Sequence, residues 1–387
     1  MNFLNSVKEM FFTITAFDGF SHKQIIMILI SFLLAYLAIK KKYEPLLLLP
    51  ISFGMLIANI PLAYLSANDE GYLVNLIYQG IKYQIYPPMI FLCLGAMTDF
   101  GPLIANPKTA FIGLGGQLGI FVALFGALLI GKYLAPVIPG LTAFSIKDAI
   151  AIGIIGSSDG PTSIFTANRM APELLPTIAI AAYSYMALVP IIQPPIMRLL
   201  TTAKERVIVM PEPKKVTQKQ KIIFPIAVTL VTLLFVPTAA PLIAMLMMGN
   251  LIKESGVTDR IFHSLQGDVL NLLTMLIGFS IGATAVAERV LTPDTIVIII
   301  LGLIAFGFGT FGGVMIAKLM CKLTGGKINP LIGNAGVSAM PMAARVSQKV
   351  AQEYNPSNFV LMHAMGPIVS STLGSAILAG ILIKIYG

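Results

Sequence analysis

The residue best placed to do chemistry is Asp159, the one carboxylate in the run Gly-Ser-Ser-Asp-Gly-Pro-Thr-Ser-Ile-Phe from 156 to 165. Ser157, Ser158, Thr162 and Ser163 surround it with hydroxyls. Hard cations take oxygen ligands, and backbone carbonyls freed at a helix break supply more of them. One carboxylate neutralises one positive charge, so the run suits a small monovalent cation or an exchanging proton; a divalent ion would recruit more acids. A second run, Asn-Pro-Leu-Ile-Gly-Asn-Ala-Gly-Val-Ser-Ala-Met-Pro from 329 to 341, offers Asn329, Asn334 and Ser338 as further oxygen ligands. Both runs are glycine-rich and end in proline, at Pro161 and Pro341. Glycine loosens the backbone and proline lacks a donor, so each run reads as a break between half-helices.

The elements that must position these groups are membrane helices. The 387 residues are 56% hydrophobic and 11% charged, with a mean hydropathy of +0.86. Apolar segments lie near 24–39, 45–65, 85–104, 109–134, 148–168, 175–199, 221–238, 239–252, 267–287, 295–320, 328–350 and 359–386. A carboxylate at mid-bilayer costs about 2.5–3.5 kcal/mol on insertion scales, so packing is a poor reason for one. The net charge of +9 sits in short basic clusters between apolar runs, the distribution of loop anchors and not of a nucleic-acid face. Cys93 and Cys321 are far apart without metal-ligand spacing, and His22, His263 and His363 are isolated. Lys8, Glu9 and Asp18 precede the first long apolar run, which argues against a cleavable leader.

The chain is expected to be an all-α polytopic membrane protein of two inverted-topology repeats, with about ten transmembrane helices and two broken or re-entrant hairpins. Residues 1–200 form the first repeat, 201–221 a basic cytoplasmic linker with Lys204, Arg206, Lys214, Lys215, Lys219 and Lys221, and 222–387 the second repeat. Pro45 opens a run resembling the one at Pro241, and Leu-Gly-Ala-Met-Thr (94–98) resembles part of Ile-Gly-Phe-Ser-Ile-Gly-Ala-Thr (277–284). Each half carries one break, and paired interrupted helices point to a midplane site in repeat-built transporters. With Lys40 to Lys42 and the linker cytoplasmic, Lys108, Lys253, Arg260, Lys327, Arg345 and Lys349 fall inside, Lys82, Arg169 and Arg289 outside, and both termini outside.

Each site residue also has an ordinary reading. Asp159 could cap the helix that follows Pro161, although burial in a membrane hairpin favours function. Asn329, Asn334 and Ser338 could be interhelical glue worth about 0.6 kcal/mol per hydrogen bond. Tyr185 reads equally as a packing aromatic. Arg345 begins a face with Lys349 and Glu353 at four-residue spacing, the pattern of a solvated amphipathic turn.

The motif around Asp159, the run Asp-Phe-Gly-Pro-Leu-Ile-Ala-Asn-Pro (99–107), the block Asn-Ala-Gly-Val-Ser-Ala-Met-Pro-Met-Ala-Ala-Arg-Val-Ser-Gln-Lys-Val-Ala-Gln-Glu-Tyr-Asn-Pro-Ser-Asn-Phe (334–359) and Met-His-Ala-Met-Gly-Pro (362–367) resemble the beta subunits of sodium-translocating, biotin-dependent decarboxylases over nearly the whole chain. The resemblance implies a cell-membrane subunit that decarboxylates carboxybiotin and exports Na+ while taking up a proton. It implies partners as well: a biotin carrier, a carboxyltransferase, a small gamma- or delta-type membrane subunit, and further copies of the chain, with a trimer one option. By motif position it makes Asp159 the sodium aspartate. Ser338 and Tyr185 become polar residues of ion and proton transfer, Asn329 and Gly333 residues near the second break, and Arg345 an arginine of the carboxybiotin step. This chain departs from the family's usual Gly-Gly-Ala-Asp-Gly-Pro by its two serines, and it has Ile368 where an asparagine is frequent. The alternative is a stand-alone secondary transporter, a sodium-solute symporter or cation-proton antiporter without an enzymatic step.

Overall fold

A computed structural model describes residues 20–42, 44–61, 66–67, 71–212 and 215–387. Lys8, Glu9, Asp18 and Lys214, on which expectations above rest, lie outside the described residues. Those described are helical with no strand. Six helices are long and apolar enough to cross a bilayer: His22–Lys40, Pro107–Tyr133, Gln218–Phe235, Asp259–Thr284, Pro293–Leu323 and Leu361–Tyr386. Pro172–Tyr185 and Leu188–Leu200 pass the same test together and are bent by 60° at the break between them, the geometry of a broken span or of a re-entrant loop. Pro45–Ala58 and Tyr86–Met97 are equally apolar but shorter; their 14 and 12 residues rise only about 21 and 18 Å, against a hydrocarbon core of about 30 Å. The chain is therefore a multi-pass membrane protein.

The described residues form two compact units, one from those before Pro87 together with 271–295, the other from those within 87–270 and 296–387. In the first, the helix Pro45–Ala58 lies against Leu270–Thr284 with backbones in contact. A Cβ on Gly54 would lie 2.4 Å from the Phe279 carbonyl oxygen, and one on Gly282 would lie 2.1 Å from that of Ile51. Asn59 ties the end of this crossing, donating to Met55 O at 2.8 Å and Ala285 O at 2.9 Å and accepting from Ala287 N at 3.0 Å. In the second unit, Tyr86–Met97 crosses Ala240–Ser255 in the same manner, with Gly249 against Leu92 O and Gly95 against Leu246 O, each at 1.9 Å. The crossings match contact for contact. A shift of 195 residues carries Ile51, Gly54 and Met55 onto Leu246, Gly249 and Asn250, and a shift of 187 carries Leu92, Gly95 and Ala96 onto Phe279, Gly282 and Ala283. That register is one residue from the one the paired prolines Pro45 and Pro241 suggest.

The second unit holds both breaks. Helix Ile146–Ile154 starts at a capping box of Ser145 and Asp148 and runs into a 3-10 turn, Ile155–Ser157. Ser158 then takes a left-handed φ of 58° and Asp159 an extended one, after which Gly160–Met170 begins with Pro161 in its first turn. The other break is the 3-10 segment Pro330–Gly336, followed by Met342–Tyr354. Glycines let helices 110–133 and 293–323 close on the breaks: a Cβ on Gly116 would sit 1.6 Å from Gly336 O, and one on Gly333 would sit 2.4 Å from Gly313 O.

Candidate ion site

Asp159 is the N-cap of its half-helix, with Oδ1 accepting from Thr162 N at 3.2 Å and Oδ2 from Ser375 Oγ at 2.8 Å. It is 4% exposed. Ser157 and Ser163 turn their hydroxyls to backbone carbonyls, those of Ile154 and Asp159. Ser158 Oγ, next to the carboxylate in sequence, is buried with no hydrogen-bonding partner among the described residues, while the buried Thr162 hydroxyl is close enough to interact with the Asp159 carboxylate. A buried hydroxyl without a partner is costly, and Ser158 Oγ is such a group beside Asp159 in the chain.

The two breaks meet by their backbones. Ser338 N donates to Ser157 O at 2.9 Å, while Ser338 Oγ lies 3.0 Å from Ser371 Oγ. Gln117 Nε2 donates to the same Ser371 hydroxyl at 3.0 Å and to its carbonyl at 3.1 Å. Ser371 and Ser375 stand one turn apart on the helix Leu361–Tyr386, so that one helix face engages both Ser338 and Asp159. Ile368, one turn before Ser371 on that helix, is buried in the apolar core.

The remaining expected site residues are placed as follows. Asn334 is in an amide cluster, donating to Gln193 Oε1 at 2.8 Å and to Ala343 O at 3.0 Å, while its own Oδ1 is buried without a partner. Gln193 reaches Thr310 Oγ1 at 3.3 Å. Asn329, at the far end of the 3-10 segment, is turned to the linker and donates to Arg206 O at 3.1 Å and Ile208 O at 2.8 Å. Gly333 is the close-approach point against Gly313. Tyr185 donates its hydroxyl to Ile299 O. Two residues earlier, Tyr183 lays its ring against Gly160, with Cε1 2.4 Å from where a Cβ would be. Arg345 is exposed on the helix Met342–Tyr354 and lines a surface cavity.

Ser371, Ser375, Gln117, Gln193 and Tyr183 were not singled out in the sequence. The available signal was four hydroxyls in one apolar helix, Ser370, Ser371, Thr372 and Ser375, and two glutamines in long apolar helices, all buried. Buried polar side chains of that kind need partners.

The family model of the Na+-transporting oxaloacetate decarboxylase beta subunit matches residues 23–386. The glutaconyl-CoA decarboxylase subunit beta of Acidaminococcus fermentans is 52% identical over 373 residues, covering 96% of each chain. The methylmalonyl-CoA decarboxylase subunit beta of Propionigenium modestum is 48% identical over 399 residues, 97% of this chain and 98% of its own. The oxaloacetate decarboxylase beta chain of Klebsiella pneumoniae is 46% identical over 415 residues, 93% and 94% of the two chains.

Proposed function

The chain belongs to the family of beta subunits of Na+-transporting decarboxylases, and from that premise we propose that it is the membrane subunit of a sodium-pumping decarboxylase, decarboxylating carboxybiotin and coupling this to Na+ export and proton uptake. The observation that carries the reading is the Ser338–Ser157 bond, which ties the second break to the turn that carries the buried Asp159 and the unpartnered hydroxyl of Ser158. Asp159 supplies the counter-charge and Ser158, Thr162, Ser338 and Ser375 the neutral oxygens. Asn334 and Gly333 hold the second break in place, while Asn329 fastens it to the linker. Ile368 contributes no oxygen, so the cage does without an amide there.

In the proposed cycle Na+ binds at Asp159 from the cytoplasm and the carboxyl group of carboxybiotin rests on Arg345, whose fork fits a carboxylate bidentately. The N–C bond breaks, carbon dioxide leaves, and the ring nitrogen keeps the electron pair. The site opens outward, a proton replaces Na+ on Asp159, and that proton passes to the ring nitrogen; Tyr185 and Ser338 belong to this path. Biotin arrives on a carrier subunit after a carboxyltransferase has loaded it. A small gamma- or delta-type subunit and further copies of the chain complete the complex.

The matched glycine crossings support two inverted repeats, which the proposal sets at 1–200 and 222–387 with the linker 201–221 between them; ten crossings plus two broken hairpins complete the proposed plan. The relatives described above are all named as decarboxylase subunits, and no observation favours the stand-alone transporter. The test is to isolate the intact complex in mild detergent, rebuild it in vesicles and assay decarboxylation of candidate acids with and without Na+. Na+-dependent turnover with Na+ uptake into inverted vesicles is expected. Turnover indifferent to Na+, or Na+ transport by the chain alone without carboxybiotin, overturns the reading.

A further inference from the structure

The helix Met342–Tyr354 borders a surface cavity of about 420 Å³ lined by Arg345, Gln348, Lys349, Gln352, Glu353 and Leu361. Arg345 and Lys349 are one turn apart, and both are exposed. Neither takes part in an ion pair among the described residues. Glu353, one further turn along, is the cavity's acid and stands at the four-residue spacing where it would pair with Lys349. Its carboxylate is paired elsewhere: Glu353 Oε2 accepts from Arg198 NH2 at 2.6 Å. Gln348 is fixed in the wall, donating to Asn358 O and accepting from Leu361 N, each at 2.9 Å. The cavity therefore presents two uncommitted cations while its acid is engaged from outside. A small anion with one planar carboxylate is the ligand this charge pattern selects.

We propose that Lys349 is a second binding residue for the carboxyl group of carboxybiotin, working beside Arg345, and that Arg198 is a positioning residue that keeps Lys349 available by holding Glu353. The inference rests on the reading that this chain acts on carboxybiotin. Lys349 adds a point charge where Arg345 adds a directional fork, so the pair grips the carboxylate before decarboxylation and loses its grip once carbon dioxide has gone. Release of the neutral ring follows from the same loss.

The test uses the complete complex in detergent, with N-carboxybiotin methyl ester as the varied substrate and biotin methyl ester, which differs from it only by lacking the ring carboxyl group, as a competitive inhibitor. Lys349→Gln is expected to raise KM about fivefold, the scale of one exposed charge contact. The turnover number and the inhibition constant of the inhibitor stay unchanged, and Lys349→Arg restores KM. Arg198→Gln is expected to raise KM about threefold by freeing Glu353 to pair with Lys349, and Arg198→Gln with Glu353→Gln to return it to the wild-type value. An unchanged KM in Lys349→Gln, or equal changes for substrate and inhibitor, overturns the assignment of Lys349. Failure of the double variant to recover overturns the role of Arg198. Absence of turnover in the wild-type complex overturns the carboxybiotin reading itself.

Discussion

Replacing Asp159 by Asn separates ion binding from folding because the amide fits the same contacts. Oδ1 of an asparagine can still accept from Thr162 N, which Asp159 engages at 3.2 Å. The new NH2 faces Ser375 Oγ, at 2.8 Å from the carboxylate, and that hydroxyl can accept from it by directing its own proton to Thr372 O, 3.0 Å away. Both contacts that the carboxylate makes are thus kept. What disappears is the charge. Two unit charges 4 Å apart attract by about 4 kcal/mol at an effective dielectric of 20, so binding weakens about a thousandfold. Ligand at a hundred times its dissociation constant stabilises a fold by about 2.7 kcal/mol. The wild-type chain should therefore gain on that scale as NaCl replaces choline chloride at constant ionic strength, while Asp159→Asn gains nothing. Thermal unfolding in detergent reads both. The reasoning is refuted if the variant keeps the Na+-dependent rise in Tm, because Na+ would then be held elsewhere.

Ser375→Ala should raise the Na+ concentration for half-maximal decarboxylation about tenfold, one hydrogen bond to a charged group, with Ser375→Thr near wild type; equal Na+ requirements would remove Ser375 from the site. Gly116→Ala drives a Cβ to 1.6 Å from Gly336 O and should lower stability by about 1–3 kcal/mol together with Na+ transport, whereas Gly267→Ala, with nothing within 4 Å, should not; thermal unfolding compares them. Burial pushes the Glu205 carboxyl up, but the Thr202 backbone and hydroxyl and the Lys318 ammonium outweigh it and hold the group below the usual glutamate range. A depressed carboxyl contributes stability above its unfolded value that is lost as pH falls through the folded one, so the linker should become protease-sensitive on acidification below the ordinary glutamate range, and Glu205→Gln should abolish that pH dependence.

The helices and both breaks were legible because their causes are local. The expected segment 109–134 falls on the consecutive helices Ala110–Gly116 and Leu118–Tyr133, and 148–168 divides where glycine and proline leave no continuous helix. Leu73–Lys82 was missed because Asn75, Gln79 and Lys82 interrupt its apolar character within ten residues. The closing wall of the site was not legible. Ser371 and Ser375 matter only because their helix lies beside both breaks, a tertiary fact without a sequence period. Tyr183 and Tyr185 differ by two positions, hence by about 200° around a helix, so one ring at most can face Gly160, and composition cannot say which. The role of Asn329 likewise depends on where the linker passes: it and Asn358 both donate to Arg206 O and Ile208 O.

On the proposed reading, pumping requires an event at Arg345 to be felt at Asp159, and the contacts between them form a short train. The first turns of Arg345's helix are tied to the 3-10 segment, Asn334 Nδ2 donating to Ala343 O at 3.0 Å and Ser347 Oγ to Leu331 O at 2.9 Å. Ser338, two residues beyond that segment, grips Ser157 O with its N–H and Ser371 with its hydroxyl. Ser375, on the helix of Ser371, grips Asp159. Close-packed bodies of this kind exchange between discrete arrangements and do not deform smoothly. On the proposed reading, a displacement large enough to break the Ser338–Ser157 bond removes one wall of the cage while leaving the carboxylate on its half-helix. A guanidinium drawn to a carboxyl group thus acts on the ion without touching it, and departure of carbon dioxide becomes the step that lets the wall return.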